Sequence, residues 1–161
     1  MEQWAGAPVQ TKIALAALGV SLAVSVVTDL RTRRVLNAVT YPALLLSTAC
    51  VLWLGGVALL LECALGALIC AGPLGLAMWR GWMGAGDVKL MALAGLVASA
   101  TGGWEMSLTV LVDVAVAGGL QALLWIGAAR SRGRPPPRTI PYALAIAAGV
   151  TWAFLSGIAL F

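Results

Sequence analysis

The chain has 161 residues, of which 61% are hydrophobic and only 10% are charged, and its net charge is +4. A soluble domain is usually about half apolar and about a quarter charged, so this composition excludes a water-soluble fold and indicates an integral membrane protein. The basic residues form no patch with interleaved aromatic side chains, which argues against nucleic-acid binding.

Six apolar stretches follow one another along the chain, and each is interpreted as a helix. They cover residues 12–28, 35–54, 57–79, 88–100, 106–129 and 141–161. Most approach the roughly 20 residues that a helix needs to cross a bilayer. The fourth is shorter, so it either crosses a thinned bilayer or forms a partial span packed inside the bundle. We therefore predict an all-α fold, an integral membrane bundle of six transmembrane helices that forms one domain over residues 1–161.

The connections between these stretches predict the orientation of the bundle. Gly55-Gly56 and residues 101–105 are brief, whereas the loops at 29–34, 80–87 and 130–140 hold or adjoin nine of the ten Lys and Arg residues. Positively charged loops mark the cytoplasmic side of a membrane protein. Because six spans place these three loops on one face, that face is predicted to be cytoplasmic and both termini to be outside.

The available side chains limit the chemistry. The chain contains no histidine, and its three cysteines, Cys50, Cys63 and Cys70, lie inside apolar stretches without a CxxC pair. Serine–histidine and cysteine–histidine catalysis are excluded, and a zinc site lacks its usual ligands. We expect no metal and no other cofactor, and we interpret the cysteines as small buried apolar residues.

Carboxylates are the remaining candidates for acid–base chemistry. Of six in the chain, Asp29 and Asp87 fall where an apolar helix meets the predicted cytoplasmic face, and ionisable groups at membrane depth usually mark function. Gly84 and Gly86 precede Asp87, and they allow a sharp turn and a close approach of another element. Two structural alternatives stay open at this point: Asp87 as an ordinary helix N-cap, and Asp29 as a charged flank that stops the first helix.

Two carboxyl groups close together cannot both ionise easily, so they share a proton over a range of pH. One can then act as a base toward water while the other, protonated, polarises a peptide carbonyl, which is the arrangement of an aspartic protease. Our hypothesis is that Asp87 is the more readily ionised partner, because a helix start and Lys89 both favour its negative charge. Asp29 would then hold the shared proton.

At these residues the chain resembles the type IV prepilin peptidases. The resemblance rests on Gly-x-Gly-Asp-x-Lys at residues 84–89, on Asp29 followed by arginines and Asn37, and on Ile140-Pro141-Tyr142-Ala143 before the last helix. It covers nearly the whole chain. The family often has Pro before the Asn, where this chain has Leu36, so the shape of the loop after Asp29 stays open.

The resemblance implies a GxGD aspartyl protease of the bacterial inner membrane, which removes the leader from prepilins at the cytoplasmic face. It implies that Asp29 and Asp87 are catalytic. The residues expected to bind substrate or support the loops are Gly84, Gly86, Lys89, Arg31 and Asn37. Its expected partners are a prepilin with a basic leader and membrane lipid, and the oligomeric state stays open.

The short length resembles the minimal members of the family that serve tight-adherence (Flp-type) pili. Larger members carry an N-terminal segment with CxxC pairs that is associated with methylation of the mature N-terminus. The chain contains no such pair, so methyltransferase activity is not expected.

Two other carboxylates, Glu62 and Asp113, lie within apolar stretches and support an alternative. A small proton-coupled transporter would use such intramembrane groups. Gln121 or Thr109 are candidate hydrogen-bond partners for Asp113. A third interpretation, an inactive assembly scaffold, would not need two aspartates at one face.

Overall fold

The structure, a computed structural model, describes residues 6–33, 35–133, 135 and 140–160, with the backbone alone for 157–160. This part of the chain forms four helical runs, two of which are interrupted by glycine pairs, and no strand, which confirms the all-α prediction. The helices are α1 (Val9–Thr32), α2 (Asn37–Trp79), α3 (Ala85–Ser131) and α4 (Ala143–Leu160). Glu2, Arg34, Arg134 and Arg138 and the two chain ends, for which positions were predicted, lie outside the described residues.

Three of the four helices are long and apolar enough to cross a membrane. They are α1, α2 and α3, and α4 adds the shorter apolar helix Ala143–Ser156. At 43 and 47 residues, α2 and α3 are each about twice as long as a single span requires. The number of membrane crossings and the side on which each end lies stay predictions.

A glycine pair interrupts each of the two long helices. Gly55-Gly56 in α2 and Gly102-Gly103 in α3 both depart from helical backbone angles, and the second glycine of each pair has a positive φ, of 64° and 71°. Residues with a Cβ rarely adopt this left-handed conformation, whereas glycine adopts it at little cost. Both pairs were predicted as connections between helices.

The chain reverses direction at both pairs. Ser107 Oγ donates a hydrogen bond to Gly95 O at 2.9 Å, although twelve residues of straight helix would hold these residues about 18 Å apart. A straight α2 would be about 64 Å long, and the ten residues after it could return at most about 35 Å. Lys89 nevertheless bonds to Asn37 at 2.9 Å. The described chain therefore forms six helical segments: 9–32, 37–54, 57–79, 85–101, 104–131 and 143–160.

The fourth segment, residues 85–101, lies at the centre of the bundle. Residues 93–99 are buried without a break, and Gly95, Leu96 and Ser99 lie on the side opposite Leu90 and Ala94, so buried positions occur on all sides of the helix. A helix that is apolar on every side is a buried one. The segment is packed inside the bundle and extends beyond the predicted 88–100 at both ends, to residues 85–101; whether it crosses the whole bilayer stays a prediction.

Small residues let this central segment contact its neighbours closely. A Cβ on Gly66 would lie 2.7 Å from Ser99 Cβ and 2.9 Å from Gly95 O, so the two helices meet there without room for a side chain. Such contacts are typical of helices that associate within membranes. Cys63 and Cys70 are fully buried free thiols beside this contact, as expected of small apolar residues.

Candidate active site

Asp29 lies on the buried face of α1, in its last turns. The buried residues of α1 recur every three or four positions: Thr11, Ala14, Leu18, Ser21, Leu22, Ser25 and Asp29. This spacing forms one inward stripe, and Asp29 is only 8% exposed. The first stretch was predicted to end at Thr28, but the helix continues to Thr32. The alternative that Asp29 merely stops the first helix is therefore wrong.

The Asp29 carboxylate contacts the first residue of α4. The backbone N–H of Ala143 donates a buried hydrogen bond to Asp29 Oδ2 at 3.1 Å, across 114 residues of sequence. The first N–H groups of a helix have no partner within the helix, and the helix dipole places partial positive charge there. This end of α4 therefore favours a negative charge on Asp29.

Asp87 is the third residue of α3 and is partly buried. Gly84 is the N-cap, with an extended backbone, and the Asp87 N–H donates to Gly84 O at 3.2 Å. The helix starts at Ala85, whereas the fourth stretch was predicted to start at residue 88. Because Asp87 stands inside the first turn and Gly84 is the N-cap, the interpretation of Asp87 as the N-cap residue is wrong; its carboxylate instead accepts a backbone hydrogen bond from Gly84.

The two glycines before Asp87 have different surroundings. A Cβ on Gly86 would lie 2.5 Å from Val35 Cβ, so the loop between α1 and α2 can approach the start of α3 only because residue 86 is glycine. A Cβ on Gly84 would lie 3.6 Å from Asp87 Oδ2, an ordinary contact distance. Gly86 thus supports the packing of the loop, and Gly84 leaves space beside the carboxylate.

Asp29, Asp87 and Tyr142 meet at one end of the bundle. The charge of Asp29 acts on the Asp87 carboxyl, and the charge of Asp87 acts on the Tyr142 phenol. The pKa of Tyr142 is raised above its usual value of 10.0, first by burial and then by the negative charge of Asp87. Tyr142 is therefore a neutral hydroxyl group beside the two carboxylates.

Lys89 and Asn37 are brought together, but away from the carboxylates. Lys89 Nζ donates to Asn37 Oδ1 at 2.9 Å and stands 4.6 Å from the centroid of the Tyr41 ring. This contact connects the start of α2 with the start of α3. Two positions along a helix correspond to a rotation of about 200°, so Lys89 faces away from Asp87.

These contacts correct the predicted division of charge within the pair. Lys89 was expected to favour a negative charge on Asp87, but it binds Asn37 instead. Asp29 receives the N–H of Ala143 at the start of α4, and Asp87 accepts a backbone hydrogen bond from Gly84 at the start of α3. Arg31, two positions after Asp29, is exposed on the outer side of α1. Burial and the charge of Asp29 nevertheless act against a second negative charge on Asp87, so the geometry favours Asp87 as the carboxyl group that holds the shared proton.

The start of α4 is held by a residue that sequence reasoning did not assign to the site. Gln121 Nε2 donates to Pro141 O at 2.7 Å, and both residues are buried. Gly118, one turn earlier, lies so close to Tyr142 that a Cβ would be 2.7 Å from its ring. The motif at residues 140–143 was the only sequence signal for this segment, and it gave no role to Gln121.

Glu62 and Asp113 lie apart from this site. A Cβ on Gly103 would lie 2.8 Å from Glu105 Oε2 and 3.5 Å from Glu62 Oε1, so Glu62 stands beside the turn at the opposite end of the bundle. Asp113 is ten residues further along α3, about 15 Å from that turn. The two carboxylates therefore do not form a pair.

The expected partners of Asp113 bind elsewhere. Gln121 bonds to Pro141, and Thr109 Oγ1 donates to Glu105 O at 3.1 Å. Asp113 Oδ2 is buried and has no hydrogen-bond partner. Over the part of the chain that the structure describes, no group of three Cys, Asp or Glu side chains could hold a metal ion.

The molecule is thus an apolar helical bundle in which two carboxyl groups meet where α1 ends and α3 and α4 begin. The family model of the type IV leader peptidase family matches residues 16–123, which is more than half of the chain and includes Asp29 and Asp87. The chain belongs to the type IV leader peptidase family, and this membership implies a peptidase. Comparison with curated proteins and with solved structures gives no match.

Proposed function

We propose that the protein is an intramembrane aspartyl endopeptidase that removes the leader from type IV prepilins of the Flp type. Cleavage takes place at the cytoplasmic face of a bacterial inner membrane, and Asp29 and Asp87 activate the water. One observation carries the proposal. Two carboxylates 58 positions apart interact at one end of an apolar bundle, and one of them receives the N–H of a helix start.

In the first step, Asp29 acts as the base. Its carboxylate takes a proton from a water molecule, whose oxygen forms a bond to the carbonyl carbon of the scissile peptide. Asp87 holds its proton against the carbonyl oxygen and transfers it as negative charge develops there. The product of this step is a neutral tetrahedral diol.

In the second step, the protons move back. Asp29 gives its proton to the peptide nitrogen, and Asp87 recovers a proton from a hydroxyl of the diol as the C–N bond breaks. The leader leaves with a new carboxyl terminus and the pilin with a new amino terminus. Both aspartates return to their starting states, so no other reactant is consumed.

The cytoplasmic location follows from charge. The pair lies at the end of the bundle where α1 ends and α2, α3 and α4 begin, since Asp29 contacts Ala143 and Lys89 contacts Asn37. In sequence, the segments next to these helix ends, 29–34, 80–87 and 130–140, hold or adjoin nine of the ten Lys and Arg residues. Basic loops are retained on the cytoplasmic side of a membrane.

The test is cleavage of a co-expressed prepilin, followed by the size shift of the mature pilin. Asp29→Asn and Asp87→Asn should each lower cleavage about a hundredfold or more, because each removes an acid–base group. Asp113→Asn is the matched control, since it changes an aspartate outside the site and should leave cleavage intact. Full cleavage by either site variant, inserted at normal levels, would contradict the proposal.

The Flp-type substrate is tested separately, with two prepilins offered to the same preparation. A Flp-type prepilin should be cut faster than a prepilin of the longer type IV class. Equal rates, or a preference for the longer class, would remove this part of the proposal and leave the aspartyl mechanism standing.

A further inference from the structure

An apolar groove of about 300 Å³ runs between α1 and α4. Leu15, Gly19 and Leu22 line it on α1, and Val150, Phe154 and Leu155 line it on α4. No charged side chain lines the groove, and the hydroxyl of Thr151 is its one polar side-chain group. α1 packs mainly on α2, and α4 mainly on α3, so the border between α1 and α4 stays open here.

The groove lies in line with the catalytic pair. Leu22 is seven residues before Asp29, and Val150 is seven residues after Ala143, so each stands about 10 Å from the Asp29–Ala143 hydrogen bond. At the other end, Leu15 is fourteen residues from Asp29, or about 21 Å. The same two helices therefore form both the groove and the contact that holds Asp29.

We propose that this groove receives the apolar segment that follows the scissile bond of the substrate. The proposal rests on the proposed function, because a peptide cut at the membrane face continues from that bond into the bilayer. The distance of about 10 Å between the pair and the groove corresponds to about three extended residues or about seven helical ones. The groove then takes apolar side chains from the next two turns of a substrate helix. A lipid tail would suit the apolar walls, but it would not account for their alignment with Asp29.

Gly19 gives a direct test, because the position of its Cβ has no atom within 4 Å and the residue is exposed in the groove. A large side chain there fills the groove without pressing on the core of the protein. Gly19→Trp should lower the cleavage of an intact prepilin roughly tenfold by excluding apolar surface of the substrate. Cleavage of a short peptide that spans the scissile bond and lacks the apolar segment should not change.

Gly119 supplies the matched control. It is exposed on α3, and its Cβ position is equally open, so Gly119→Trp adds the same bulk away from the groove. Unchanged cleavage of the intact prepilin by Gly19→Trp would overturn the proposed role of the groove and leave the proposed function intact. An equal loss of activity toward the short peptide would also overturn it, because the damage would then lie in the catalytic pair.

Crosslinking identifies the occupant. Benzoylphenylalanine is placed at position 19 in the Asp87→Asn background, which binds substrate without cutting it, and again at position 119. Crosslinks from position 19 to pilin residues that follow the scissile bond are expected, with none from position 119. Crosslinks to lipid alone, to a second copy of the chain or to the leader would each overturn the proposal. Failure of the unsubstituted protein to cut the prepilin at all would instead overturn the proposed function.

Discussion

At the scale of single residues, the hydrogen bond from Ala143 to Asp29 makes the surroundings of the two carboxyl groups different. Two negative charges at short range repel each other, so the pair holds one shared proton over the pH range between its two ionisation steps. Ala143 donates to Asp29, and Asp87 lacks the lysine that was expected to favour its ionised form. Activity should therefore pass through a maximum in pH, falling in acid when the pair binds a second proton and in alkali when the pair loses its only one.

Tyr142 gives a prediction about that alkaline limb. Because burial and the charge of Asp87 raise the pKa of Tyr142 above 10.0, its phenol stays protonated throughout the working range. Tyr142→Phe should lower kcat about tenfold through loss of a polar donor beside the pair. The alkaline limb of the pH–rate profile should nevertheless survive in Tyr142→Phe. Its disappearance would show that tyrosine ionisation, and not the aspartate pair, produces the limb.

Sequence reasoning found both aspartates because few ionisable residues lie in so apolar a chain. It expected Lys89 to favour a negative charge on Asp87, because nearness in sequence was taken as nearness in space; the predicted role of Lys89 in substrate binding or loop support stays a prediction. Two positions on a helix point about 200° apart, which sends Lys89 to Asn37 and Tyr41. The Asp29–Ala143 contact joins residues 114 positions apart, and no spacing rule could have identified it.

At the scale of elements, the site depends on how closely the helix ends approach one another. The start of α3 touches the loop after α1 through Gly86 and Val35. The start of α4 is fixed from the other side by the Gln121–Pro141 hydrogen bond. Each contact holds one part of the aspartate pair, so each can be perturbed without changing a carboxylate.

The two glycines of the motif, Gly84 and Gly86, should differ in their tolerance of a Cβ. Gly86→Ala places a Cβ 2.5 Å from Val35 Cβ and should destabilise the protein by about 1–3 kcal/mol, since the loop must shift. Gly84→Ala meets nothing closer than 3.6 Å and should unfold at the normal temperature. Thermal unfolding in detergent measures the difference. Equal stabilities for the two variants would contradict the steric account of Gly86.

The start of α4 depends on the hydrogen bond from Gln121 to Pro141. Gln121→Leu leaves the buried Pro141 carbonyl without its donor, at a cost of about 1–3 kcal/mol. It also loosens the start of α4, so the hydrogen bond from Ala143 that favours a negative charge on the aspartate pair should weaken. The acidic limb of the pH–rate profile should then move to higher pH. A variant that is less stable but has an unshifted acidic limb would confine Gln121 to a structural role.

At the scale of the whole molecule, the segment pattern was predictable from sequence. Apolar stretches of about span length, separated by glycine pairs or basic loops, match the six helical segments to within a few residues. Whether segment 85–101 crosses the whole bilayer was left open, because an apolar stretch of 13 residues is too short for a full span unless the helix extends or the bilayer thins. The central position of the segment depends on packing, which the sequence pattern does not specify.

The orientation of the bundle in the membrane can be tested by labelling from one side. Trp82 and Trp104 are both exposed, and they lie in the connection before α3 and beside its glycine turn. In intact cells, an impermeant maleimide should label Trp104→Cys and should reach Trp82→Cys only after the membrane is opened. The unsubstituted protein serves as the blank, because Cys63 and Cys70 are buried and Cys50 is partly buried. The reverse pattern of labelling would place the aspartates outside the cell.

The central position of segment 85–101 has a mechanical consequence. Asp87 lies at the start of a helix that neighbouring helices enclose, whereas Asp29 belongs to an outer helix, α1, which has a single buried stripe. A sideways displacement of α1 would change the distance between the two carboxyl groups, while segment 85–101 would stay in place. Under the proposed function, a change in bilayer thickness, which acts on the outer helices, is expected to change the separation of the two carboxyl groups and with it the rate of cleavage.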